Sequence, residues 1–88
     1  MESAGERRLK LLRRRIDAID RLIVRLLEQR AAAAREIGAL KMRQGLPVQD
    51  RQRERQVLER AAGATKLDKK FVKGVFTKVI YYCRKQEK

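Results

Sequence analysis

Histidine and tryptophan are absent from this chain of 88 residues, which holds one cysteine, one proline and only two each of tyrosine and phenylalanine. Each shortage closes a route. Without histidine there is no imidazole general base, and with Cys83 as the only thiol neither an intrachain disulfide nor the usual zinc or iron–sulfur ligand sets can be assembled. No metal and no cofactor is therefore expected. Tyr81 and Tyr82 are too few for a base-stacking surface, and the glycines form no phosphate-binding loop. No stretch approaches the ~20 apolar residues of a membrane span, and Met1 to Lys10 is polar and charged where a secretory leader would carry an apolar core. The protein reads as cytoplasmic, without membrane association.

What the chain does have is charge and helix-forming residues. Charged residues make up 40% and hydrophobic residues 43%, a balance that suits an all-α domain with a charged exterior better than a disordered tail or a β-sandwich. The length admits one domain, residues 1–88, and no second fold. Lysine and arginine number 24 against 11 acidic residues, and the resulting net charge of +13 attracts polyanions at long range. Charge alone names no partner.

From Glu6 to Met42 there is no proline and a single glycine, Gly38, so the pattern predicts one continuous helix of roughly 55 Å at ~1.5 Å per residue. Leu9, Leu12, Ile16, Ile19, Ile23, Leu26, Arg30, Ala33, Ile37 and Leu40 recur at alternating spacings of three and four, the pattern of a heptad seam. Leu22, Leu27 and Ala34 widen the stripe, so this helix is expected to pack against more than one neighbour. A compact chain of this length is only about 30 Å across and cannot cover such a helix. A second copy lying alongside is the economical solution, and a homodimer is expected.

Arg30 interrupts the seam. Burying an unpaired guanidinium costs several kcal/mol, so an anion is expected beside it, either Glu28 or Glu36 of the partner helix or a ligand. Lys41 favours the ligand: it lies almost three turns further on, projecting from nearly the same face at roughly 16 Å of axial separation. Two long cationic side chains can then reach toward one small anion.

Gln44 to Val48, with Gly45 and Pro47, breaks the helix, and Asp50 is placed to cap a second one over about 50–62. That helix is almost entirely charged, with Val57 and Leu58 its clear apolar anchors and its charges solvated or paired at i, i+4. After Gly63 a third helix is predicted over about 68–86, with Val72, Val75, Phe76, Val79, Ile80 and Cys83 on its apolar stripe. Cys83 reads as a small buried hydrophobe in preference to a nucleophile. Glu87 falls on the same stripe one turn later, where it either frays into solvent or faces a site.

Leu12-Arg13-Arg14-Arg15-Ile16-Asp17-Ala18-Ile19-Asp20, Leu27-Glu28-Gln29-Arg30, Ile37-Gly38-Ala39-Leu40-Lys41 and Pro47-Val48-Gln49-Asp50-Arg51-Gln52-Arg53-Glu54-Arg55 together resemble the all-helical chorismate mutase family. The likeness extends over about residues 9 to 87, and the order and spacing of the four fragments make it specific. It implies a three-helix subunit with a long first helix, an intertwined homodimeric bundle, chorismate as substrate and prephenate as product, on the route to phenylalanine and tyrosine. By the resemblance, Arg13 reaches into the partner's site, Arg30 holds a substrate carboxylate, and Lys41 contacts a carboxylate and the ether oxygen. Asp50, Arg53 and Glu54 line the pocket, with Glu54 accepting from the substrate hydroxyl. Cys83 stands where the family often has a small polar residue, and Glu87 where bacterial members usually carry glutamine. Spacing agrees with a shared site, since Arg13 and Arg30 lie roughly 25 Å apart along one helix and on different faces.

The implied reaction is a unimolecular rearrangement needing no nucleophile, metal or cofactor, and the expected tools are conformer selection and fixed charge near the ether oxygen. Lys41 is the expected source of that charge. For Glu87 to donate to the ether oxygen as a glutamine does, it must be protonated, so activity is expected to fall as pH rises. The alternatives are an isochorismate pyruvate-lyase of the same fold, against which the Arg53–Glu54 pair speaks, a basic nucleic-acid-binding dimer, and a regulatory dimerisation module. No nucleic-acid ligand is expected, because the cations follow no recognised reading motif.

Overall fold

A computed structural model describes residues 1–88 as three helices and no strand: α1 Ala4–Gln44, α2 Arg51–Gly63 and α3 Lys69–Gln86. The all-α expectation holds. α1 runs about one half-turn further at each end than the apolar periodicity predicts, and caps explain both extensions. Ser3 accepts a hydrogen bond from the Glu6 amide at 3.1 Å, and Glu6 places negative charge on the N-terminal turn. At the other end Gly45 adopts the left-handed conformation (φ 68°), which lets its own amide and that of Leu46 close on the carbonyls of Met42 and Lys41.

The later helices are capped as tightly. Asp50 accepts from the Arg53 amide at 3.0 Å and Asp68 from the Lys70 amide at 2.9 Å, each satisfying an orphan donor of a first turn. Lys69 donates to the Ala62 carbonyl at 2.6 Å, so the first residue of α3 closes the C-terminal end of α2. No charge of α2 pairs within its own helix. Apart from Glu54, these charges are solvated.

α3 packs on both other helices, while α1 and α2 do not meet each other. The buried residues of α1 are Ala31, Ala34 and Gly38, all in its C-terminal part. They lie one position beyond the seam residues Arg30, Ala33 and Ile37, so α3 docks beside the heptad seam and leaves the seam itself open. Small residues permit that approach. A Cβ on Gly38 would overlap the backbone of Glu87, which explains a glycine inside a helix where it otherwise costs about 1 kcal/mol. On α3, Val72 and Cys83 are buried and Phe76, Val79 and Ile80 half-buried, while Val75 stands outside the stripe with 43% exposure. The molecule measures 65 × 24 × 15 Å because α1 projects well past its two companions.

Candidate active site

Where the second half of α1, the start of α2 and the end of α3 converge, they enclose a cleft of about 390 Å³. This lies within the range of small-molecule sites. α1 contributes Arg30, Ile37 and Lys41; α2 and the residues before it contribute Val48, Asp50, Arg53, Glu54 and Val57; α3 contributes Ile80, Cys83, Arg84 and Glu87. Seven of the eight residues singled out in the sequence are therefore brought together. Arg13 is not among them: it lies on the exposed arm of α1, roughly 25 Å along the axis from Arg30.

Lys41 is fixed from two sides. Its Nζ donates to the Val48 carbonyl and to Glu87 Oε1, both at 2.6 Å, with 20% and 14% of the Lys41 and Glu87 side chains exposed. The ammonium keeps one further donor for the cleft. Glu87 immediately follows the last residue of α3, and the end of that helix is held down: Arg35 donates to Gln86 at 3.2 Å, and the Glu87 backbone rests on Gly38. A free, fraying end is not what the structure shows.

Arg30 and Arg53 contrast with Lys41. Neither guanidinium has a hydrogen-bond or ion-pair partner within the chain, and the chain's three salt bridges join Lys10 to Glu2, Lys41 to Glu87 and Arg84 to Glu54. Two unpaired guanidinium groups facing one cleft suit an anion with two carboxylates, whose geometry their planar forks match. Asp50 is committed to capping α2, which explains its place without invoking a ligand. Cys83 is buried and lies at the cleft wall as the small hydrophobe the sequence suggests.

Sequence reasoning missed Arg84. It donates through Nη1 to both oxygens of Glu54, at 3.0 and 2.8 Å. The signal was present in the spacing, because Ile80, Cys83, Arg84 and Glu87 repeat as one face of a helix. Its partner lies 30 residues away, beyond the reach of any local pattern. Outside the cleft, the Tyr81 phenol is held below its ordinary value of 10.0 by a hydrogen bond and the charge of Lys85.

Residues 12–88 match the family described as chorismate mutase type II. The chain belongs to that family. It is 43% identical over 68 residues to the bifunctional chorismate mutase/prephenate dehydratase of Aquifex aeolicus, a stretch that is 77% of this chain and 18% of that protein. It is 32% identical over 53 residues to the chorismate mutase of Methanocaldococcus jannaschii, covering 60% of this chain and 54% of that one. The chain thus spans about a fifth and about half of these curated relatives. A solved structure, a conserved hypothetical protein from Pyrococcus furiosus, superposes with a TM-score of 0.79 at 35% identity, over 98% of this chain and 99% of that one. The cleft of this family member lies where α3 packs against both α1 and α2.

Proposed function

We propose that this chain catalyses the rearrangement of chorismate to prephenate in the cleft between its three helices. The observation that carries the reading is the division of the cleft's cations: Lys41 is locked in place, while Arg30 and Arg53 have no partner of their own. Unpaired guanidinium groups take the two carboxylates of the substrate and select its folded conformer, as planar bidentate donors do. Lys41 Nζ, held by Val48 and Glu87, places fixed positive charge where the ether oxygen becomes negative as the C–O bond breaks. Ile37, Val57 and Ile80 supply apolar walls that strengthen those charges by excluding water. Glu54 accepts from the substrate hydroxyl.

The ion pair with Lys41 gives Glu87 its part. In the unliganded chain its carboxylate is bonded to the ammonium, so Glu87 serves first as the group that fixes the direction of Lys41 Nζ toward the cleft.

The working unit is a homodimer. Leu9, Leu12, Ile16, Ile19, Ile23 and Leu26 are all exposed along the arm of α1, where they have nothing of this chain to pack on. Antiparallel pairing with a second arm buries them and delivers Arg13 of each chain to the other's cleft, completing the clamp around the dicarboxylate.

Incubating the protein with chorismate and, separately, with isochorismate tests the reading. Prephenate from chorismate is expected; salicylate from isochorismate would instead assign a pyruvate-lyase, and failure to consume either would leave the family fold without this activity.

A further inference from the structure

Apart from Asp50, which caps α2, Arg84 is the charged residue of the cleft to which the proposed rearrangement gives no task. It sits at the divide between the cleft and a shallower groove bordered by Leu58, Lys78 and Tyr81. Lys78 on α3 is exposed, and Lys85 lies over the Tyr81 ring, its Nζ 4.6 Å from the centre. Arg84 reaches across to α2: its guanidinium carbon lies 5.5 Å from the centre of the same ring, and Nη1 bridges both oxygens of Glu54. The two side chains are 25% and 24% exposed, so this pair is screened far less than a surface salt bridge.

Glu54 needs such a restraint. A glutamate has three side-chain torsions, and Arg30, Lys41 and Arg53 line the same cleft as its carboxylate. Left free, Glu54 is drawn to Arg30 or Arg53, neutralising a cation on which substrate binding depends. Asp50 is held by the α2 amide and Glu87 by Lys41, which leaves Glu54 as the acidic group with a choice of partners. Nη1 of Arg84 occupies two of the carboxylate's roughly four lone-pair sites, leaving acceptor capacity for a hydroxyl.

We infer that Arg84 is a positioning residue: bonded through Nη1 to both carboxylate oxygens, it holds Glu54 against the α3 wall, aimed at the substrate hydroxyl and away from Arg30 and Arg53. The inference rests on the mutase reading. It assigns Arg84 no contact with substrate.

A double-mutant cycle on the full-length protein tests this, with kcat and KM for chorismate measured for the parent, Arg84→Met, Glu54→Gln and the double variant. Arg84→Met is expected to lower kcat/KM on the order of ten-fold, the scale of one charge-assisted hydrogen bond. The loss falls chiefly in KM, because the released Glu54 competes with substrate carboxylates. Arg84→Lys recovers part of it, since an ammonium can hold the carboxylate as a point charge. In the Glu54→Gln background, Arg84→Met should cost less than about two-fold. Defects that multiply in the double variant, or full parental activity in Arg84→Met, would overturn the inference. Should Arg84→Met melt far below the parent, Arg84→Gln takes its place in the cycle under the same criteria. A parent that leaves chorismate untouched defeats the mutase reading and this inference with it, whereas an active parent with multiplying defects defeats only the inference.

Discussion

The two halves of α1 bury different things. From Ala4 to Gln29 every residue is exposed, although Leu9, Leu12, Ile16, Ile19, Ile23 and Leu26 are large and apolar. From Arg30 onward the buried residues are Ala31, Ala34 and Gly38, whose side chains are small or absent. Apolar size therefore does not tell which part of this helix folds against its own chain. The large residues have no surface of their own chain to cover them, while the small ones let α3 approach closely enough to build a cleft. One helix thus carries an open apolar seam, the face proposed for assembly, and a site-forming face offset from it by about one residue.

Breaking the assembly face should have the largest effect. Ile16→Glu combined with Ile23→Glu puts two charges into the seam, where each faces a desolvation penalty with no partner. The expected outcome is a monomer by light scattering, with turnover reduced on the order of a hundred-fold because Arg13 no longer reaches a second cleft. A monomer with parental activity would show that one chain suffices, and a dimer that survives both charges would place the interface elsewhere.

The site-forming face can be broken more quietly. Gly38→Ala sets a methyl group against the Glu87 backbone, which must move. The change also gains up to about 1 kcal/mol of helix propensity, so global stability should alter little, by no more than about 1–2 kcal/mol, as the end of α3 lifts while the rest stays packed. Activity should fall on the order of ten-fold, because lifting Glu87 takes away one of the two groups that fix Lys41. Thermal melting and kcat measured on the same preparation separate the two effects. Equal losses in both would mean that Gly38 serves packing alone.

Much of this was readable from spacing, and the remainder shows where spacing stops. The seam, the Gly45–Pro47 break, the Asp50 cap and the stripe from Val72 to Cys83 are local patterns, and they lead to three helices. Arg30 stood out because it interrupted one of those patterns. Of the docking stripe only Ala34 is legible, as a widening of the seam; Ala31 and Gly38 are not, because small residues carry little hydropathy signal and lie beside a stronger stripe. The Arg84–Glu54 pair escaped notice because it joins two helices whose relative rotation no single-helix periodicity encodes. Val75 was placed on the α3 stripe by its apolarity, yet the register turns it outward. The family resemblance supplied what neither pattern nor packing could: a specific dicarboxylate to propose for the cleft that Arg30 and Arg53 line.

Glu87 links the docking of α3 to the site, since its backbone rests on Gly38 and its carboxylate on Lys41. Glu87→Gln keeps the length of the side chain and a carbonyl that accepts from Lys41 Nζ, while removing the charge of the ion pair and adding an amide donor. The smallest effect is expected here, with kcat within about two-fold of the parent, because Lys41 keeps both of its acceptors. Glu87→Leu leaves Lys41 with the Val48 carbonyl alone and should lose on the order of ten-fold, as Gly38→Ala does. Steady-state kinetics of the two variants side by side check this. Parental turnover in Glu87→Leu would mean that Val48 alone fixes Lys41, and a loss on the order of ten-fold in Glu87→Gln would mean that the charge of Glu87, and not only its hydrogen bond, is needed.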